Sequence, residues 1–96
     1  MNADRSALHC TVDGHVQGVG FRMFVSQSAE RLGLVGWVRN TWDGQVEVWA
    51  EGPRADLEEL LTALRRGPRS AFVTEVKTGW EDAKGSYTRF SIAPTV

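Results

Sequence analysis

Cysteine is almost missing from this chain. Cys10 is the only one in 96 residues, so no internal disulfide forms and no cysteine cluster is available to a metal. Two histidines, His9 and His15, add no ligand set of the spacing a zinc site requires, and neither a metal nor another cofactor is expected. An excess of charge is missing too: eleven Lys and Arg against twelve Asp and Glu leave a formal charge of −1. No global basic field therefore draws the chain to nucleic acid or to an anionic membrane, and any anion must be captured locally. No apolar run approaches the roughly 18 residues of a spanning helix. The first ten residues, MNADRSALHC, lack the basic-then-apolar build of a signal peptide. These absences lead to the expectation of a cytoplasmic monomer. With 42% hydrophobic residues, residues 1–96 are expected to close one modest core as a single domain.

What is present is periodic. From Ala7 to Asp13, Leu8, Cys10 and Val12 alternate with His9, Thr11 and Asp13, the period of a half-buried strand. Phe21, Phe24, Val25, Ser28, Ala29 and Leu32 recur at helical spacing until Gly33, which suits the left-handed position that ends helices. Leu34–Asn40 and Gln45–Glu51 are β-rich runs joined by a turn containing Asp43-Gly44, a hairpin signal. A second helix has Pro53 in its first turn, Leu57, Leu60, Leu61 and Leu64 as its apolar stripe, and Gly67-Pro68 as its stop. Ala71–Trp80 reads as a fourth strand in which Val73 and Val76, three apart, break alternation and predict a bulge or an irregular start. Tyr87–Ile92 reads as a short last strand with Phe90 and Ile92 on one face. The order predicts an α+β fold, a ferredoxin-like βαββαβ sandwich with two helices on one face of the sheet. Right-handed crossovers put the antiparallel strands in the order 4-1-3-2, leaving open the edge taken by the extra strand. Trp37 is expected in the core, and Trp49, opposite Val46 and Val48, on an exposed face. Such a face invites comparison with sheets that stack RNA bases, but the motif of those proteins is missing and the charge is negative.

The stretch GHVQGVGFR, residues 14–22, holds Gly14, Gly18 and Gly20 between the first strand and the first helix. Glycines let a ligand approach the main chain, and a loop leading into a helix N-terminus adds unpaired amides and a positive dipole end. Arg22 is placed to close such a site with a guanidinium fork that matches phosphate oxygens. The same glycines also suit a plain tight turn, and Asn40, at the end of the second strand, is by itself a common turn starter. The loop fits neither the Gly-Lys-Ser/Thr phosphate pattern nor the dinucleotide pattern, which needs a small residue where Met23 stands. Cys10 reads as a buried core thiol, and Arg39 as pointing away from Asn40.

GHVQGVGFR, AERLGLVGWVRNTWDGQVEVWAEG and GPRSAFVTEV together resemble the acylphosphatase family over most of the chain. The resemblance implies hydrolysis of acyl phosphates to carboxylate and inorganic phosphate. It implies that the backbone of His15, Val16, Gln17, Gly18, Val19 and Gly20 binds the phosphate, with Arg22 as guanidinium ligand and Asn40 holding the attacking water. Gly14 and Thr41 are implied as supports. The implied partner is a small acyl phosphate, with inorganic phosphate or sulfate as a ligand of the same site and no nucleic acid or membrane. Met23 and the tail SIAPTV depart from the family pattern and are expected to lie clear of the chemistry. Acylphosphatase-like domains also begin carbamoyltransferases that mature hydrogenases, which continue into zinc-binding domains; the length and the single cysteine favour the free-standing hydrolase. A non-catalytic phosphate-sensing module is the remaining alternative.

Overall fold

In the computed structural model, which describes residues 5–96, the elements follow the expected order. They are β1 (Arg5–His15), α1 (Phe21–Arg31), β2 (Val35–Asn40), β3 (Val46–Pro53), α2 (Arg54–Arg66), β4 (Phe72–Glu81) and β5 (Phe90–Ile92). The fold is ferredoxin-like α+β, with strand order β4-β1-β3-β2-β5. The first four strands are antiparallel neighbours in the order 4-1-3-2, and β5 takes the edge beside β2, parallel to it. Pro53 stands one place earlier than expected, as the residue that caps α2.

Strand alternation decides which side chains meet the helices. Leu8, Cys10 and Val12 stand opposite Ala50, Val48 and Val46, and all six are fully buried on the helix-covered face. Onto them α1 lays Phe21, Val25 and Ala29, while α2 lays Leu57, Leu60, Leu61 and Leu64. Each such leucine contributes about 1.5–3 kcal/mol by leaving water. Helix α1 stops where Gly33 predicts: the Gly33 amide donates to the Glu30 carbonyl at 3.0 Å, and the Leu34 amide to that of Ala29 at 2.9 Å. These two bonds satisfy carbonyls that the helix end leaves over. In β4, Asp13 faces Glu75 but Gly14 faces Val73, so Thr74 is the extra residue of a bulge between the two valines that break alternation.

The other face of the sheet departs from expectation. Trp49 does turn away from the helices, but it is only 6% exposed. It is covered because β4 and β5 lie on opposite edges, and the segment joining them, residues 82–89, crosses that face as a strap. The Glu51 carboxylate, fully buried, accepts the Lys84 and Gly85 amides at 3.1 Å each and the Trp49 indole N–H at 2.7 Å. The Lys84 ammonium lies 4.6 Å from the Trp49 ring centre. Trp37, expected in the core, stands on this same face beside Trp49, half-buried, donates to the Tyr87 hydroxyl at 3.1 Å and carries Arg39 on its ring. Spending residues 82–89 on the crossing also shortens the last strand, which pairs only from Phe90 and not from Tyr87.

Candidate active site

Both β1 and β2 run antiparallel to β3, so they are parallel to each other, and Val12 and Asn40 face the same residue, Val46. Their C-terminal ends therefore share one rim of the sheet. His15 is still paired with Phe72, so the turn proper starts at Val16. Val16 is buried, Val19 packs against the core, and the glycines between and after them face outward. Gly18 and Gly20 have φ of 74° and 76°, a left-handed torsion that costs other residues roughly 1–2 kcal/mol. A Cβ at either would meet nothing within 4 Å among the described residues, so torsion and not crowding at that atom favours glycine. Left-handed residues alternating with ordinary ones turn successive amides toward one side as an anion nest.

Among the described residues, the amides of Val16 to Gly20 donate to no protein acceptor. Gly20 is the cap of α1, no side chain caps that helix, and its first turn holds no acidic residue. Its leading amides and positive dipole end therefore stay available to an anion. Half-buried Arg22 stands in this first turn without a carboxylate in ion-pair range among the described residues, whereas Arg39 and Arg54 are paired with Glu47 and Glu58. Asn40 turns toward the helix side, and its Oδ1 is buried with no hydrogen-bond partner among the described residues. Leaving such a group unmatched costs about 1–3 kcal/mol.

These groups border one cavity of about 240 Å³, lined by Val16, Gly18, Gly20, Phe21, Arg22, Met23, Asn40 and Ile92. The cavity thus unites the loop, the guanidinium and the carboxamide that the sequence singled out. Gln17, Val19, Thr41, His15 and Gly14 stand outside its wall. Gly14 serves the β4 side: a side chain there would come within 2.1 Å of the Phe72 carbonyl oxygen. Thr41 closes the hairpin, its hydroxyl accepting the Gln45 amide at 3.2 Å. The Ser70 hydroxyl holds the Val19 carbonyl at 2.9 Å. Met23 and Ile92, expected clear of the chemistry, supply apolar wall. Nothing in the sequence signalled Ile92, because the edge taken by β5 was undecided.

Cys10 is no nucleophile here: burial pushes its thiol up to about 11, against weaker lowering by Thr78 and Arg65. On the far face, desolvation would raise the Glu47 carboxyl, but bonds from His9 at 2.7 Å and Arg39 at 2.9 Å outweigh it and hold it below its ordinary value.

In this ferredoxin-like fold a glycine turn feeds the start of α1, and a guanidinium and a carboxamide without partners among the described residues border the same cavity. The family model of acylphosphatase matches residues 8–92. An acylphosphatase of Moorella thermoacetica is 50% identical over 88 residues, covering 92% of this chain and 94% of the relative. The crystal structure of acylphosphatase from Bacillus subtilis superposes with a TM-score of 0.88 at 40% identity, covering 92% of this chain and 98% of that one. Full-length HypF in its phosphate- and nucleotide-bound form matches with a TM-score of 0.86 at 29% identity, over 95% of this chain but 12% of that one. The chain belongs to the acylphosphatase family, and it is an enzyme that hydrolyses acyl phosphates.

Proposed function

We propose that the backbone of the 15–20 loop and Arg22 bind the phosphoryl group of an acyl phosphate, and that Asn40 orients the water that attacks phosphorus in line. Residues 1–96 act in this reading as one domain, a cytoplasmic monomer, whose emptied site takes inorganic phosphate or sulfate. The observation that carries the reading is that Asn40, whose buried Oδ1 has no hydrogen-bond partner among the described residues, lines the same cavity as Arg22 and the start of α1. A carboxamide oxygen accepts an O–H, and a water so held has its lone pair free for phosphorus.

The chemistry suits a site with few groups. The leaving carboxylate is a weak base, with a pKa of about 4, so no general acid is needed to protonate it. A loose phosphoryl transition state asks for positioning and for charge stabilisation on the equatorial oxygens. Loop amides and Arg22 provide the second, Asn40 the first. The proton of the attacking water passes to a phosphoryl oxygen as the P–O bond to the carboxylate breaks, so no covalent enzyme intermediate forms and no metal is required.

Hydrolysis of benzoyl phosphate in ¹⁸O-water with excess chelator tests this. Label is expected in phosphate and none in benzoate. Label in benzoate would place the attack at the carbonyl carbon and overturn the mechanism. Phosphate binding without hydrolysis above the blank would leave a binding module.

A further inference from the structure

Gln17 contributes its backbone to the loop, but its side chain goes elsewhere. The Nε2 amide donates to the Thr41 carbonyl at 2.8 Å and to the Gln45 carbonyl at 2.8 Å. Those carbonyls belong to the two ends of the β2–β3 turn. Each also accepts a backbone amide, Thr41 from Gly44 at 3.1 Å and Gln45 from Thr41 at 2.9 Å, and the Thr41 hydroxyl lies 3.5 Å from the Gln45 carbonyl, so the Gln17 donors join bonds that already close the turn. Both donors of one planar group are thus fixed on one turn, which sets orientation as well as distance. Among the described residues, these are the only hydrogen bonds that join the 15–20 loop to the 40–45 turn.

The two halves of the site are separate in sequence and in the sheet. The amide nest and Arg22 lie after β1, whereas Asn40 ends β2, and β3 stands between those strands. Thr41, which Gln17 holds, is the residue next to Asn40. We propose that Gln17 is a positioning residue: its carboxamide sets the placement of the Asn40 side chain against phosphate held by the loop. This rests on the reading of Asn40 as the water-orienting group. A reacting water must sit about 3–3.5 Å from phosphorus, and a misplacement of about 1 Å costs on the order of a hundredfold in rate. A single carboxamide that ties the two halves together acts on that distance directly.

Gln17→Met keeps length and volume and removes both donors, and the test is a double-mutant cycle with Asn40→Ala on benzoyl phosphate. Gln17→Met is expected to lower kcat by about tenfold to a hundredfold. The inhibition constant of inorganic phosphate, which reads the amides and Arg22 without the water, should rise by no more than about threefold. In the Asn40→Ala background, the same substitution should change kcat less than about twofold, because residues acting as one unit are not additive. Multiplicative losses in the double variant, or an unchanged kcat in Gln17→Met, would overturn the positioning role while leaving acyl phosphate hydrolysis intact. A parallel loss of kcat and phosphate affinity would reduce Gln17 to support of the loop. Full activity of Asn40→Ala would overturn both this proposal and the reading beneath it.

Discussion

Two buried polar groups at opposite faces of the sheet are treated in opposite ways. Glu51, beneath the 82–89 strap, carries a charge that is costly to bury, and three N–H groups converge on it. Asn40, at the rim, buries an amide oxygen to which no described residue donates. The same contrast separates the arginines: Arg39 and Arg54 stack on tryptophans and pair with glutamates, while Arg22 has neither within reach among the described residues. Where polar groups serve the fold, the chain satisfies them. Among the described residues, Arg22 and Asn40 are left over and both border one cavity, which under the proposed function is capacity for a ligand.

The largest effect that sharpens this contrast is expected from Arg22→Gln. Removal of this charge, which pairs with no described carboxylate, should lower kcat/KM for benzoyl phosphate by about a thousandfold, in line with arginines on phosphoryl groups, and weaken inhibition by phosphate. Steady-state kinetics check it, and a melting temperature close to wild type would show that the loss is not one of folding. Glu51→Ala should do the reverse. It strands three donors and costs about 3 kcal/mol in urea unfolding, yet kcat of the folded protein should stay within twofold. A smaller effect follows from pH. Burial would raise the Glu51 carboxyl, but the Trp49, Lys84 and Gly85 donors outweigh it, so its folded pKa lies below the ordinary value. Its stabilisation is therefore complete above about pH 4.3 and is lost as pH falls through the folded value. Melting curves between pH 6 and 3 should show this acid loss, and Glu51→Gln should flatten it. The smallest effect belongs to Ser70→Ala. That substitution frees the Val19 carbonyl at the side of the loop away from Asn40, and should lower kcat by less than about threefold, against the larger loss on cutting the Gln17 bonds.

Much of the frame was legible because it rests on local signals that agree. The period of two in residues 7–13, the leucine stripe at 57, 60, 61 and 64, and the Asp43-Gly44 turn each declare an element, and crossover handedness arranges them. Even the bulge at Thr74 shows in the spacing of Val73 and Val76. The glycines and Asn40 each suit an ordinary turn, so the site was legible only from their combination with Arg22 and from the motifs shared with the acylphosphatases. Contacts formed by distant segments were not legible. Trp49 alternates outward as a surface residue would, and only the path of residues 82–89 from one edge of the sheet to the other buries it. Trp37 lies within an apolar run whose alternation can be read in either register until Val38 is seen to face Val48. The side chain of Gln17 has no partner within twenty residues of sequence, so its type alone could not distinguish a loop amide from a tie across the site. Ile92 reached the cavity wall only through the edge chosen by β5.

The central claim, that the unmet carboxamide of Asn40 is kept for the attacking water, is tested most directly by Asn40→Ala measured three ways: kcat on benzoyl phosphate, inhibition by inorganic phosphate, and melting temperature. The expected result is a kcat lower by on the order of a hundredfold, as for loss of one preorganised polar group, with phosphate inhibition within about threefold and a melting temperature equal to or above wild type. A variant that keeps its kcat, or that loses activity only together with its fold, would contradict it.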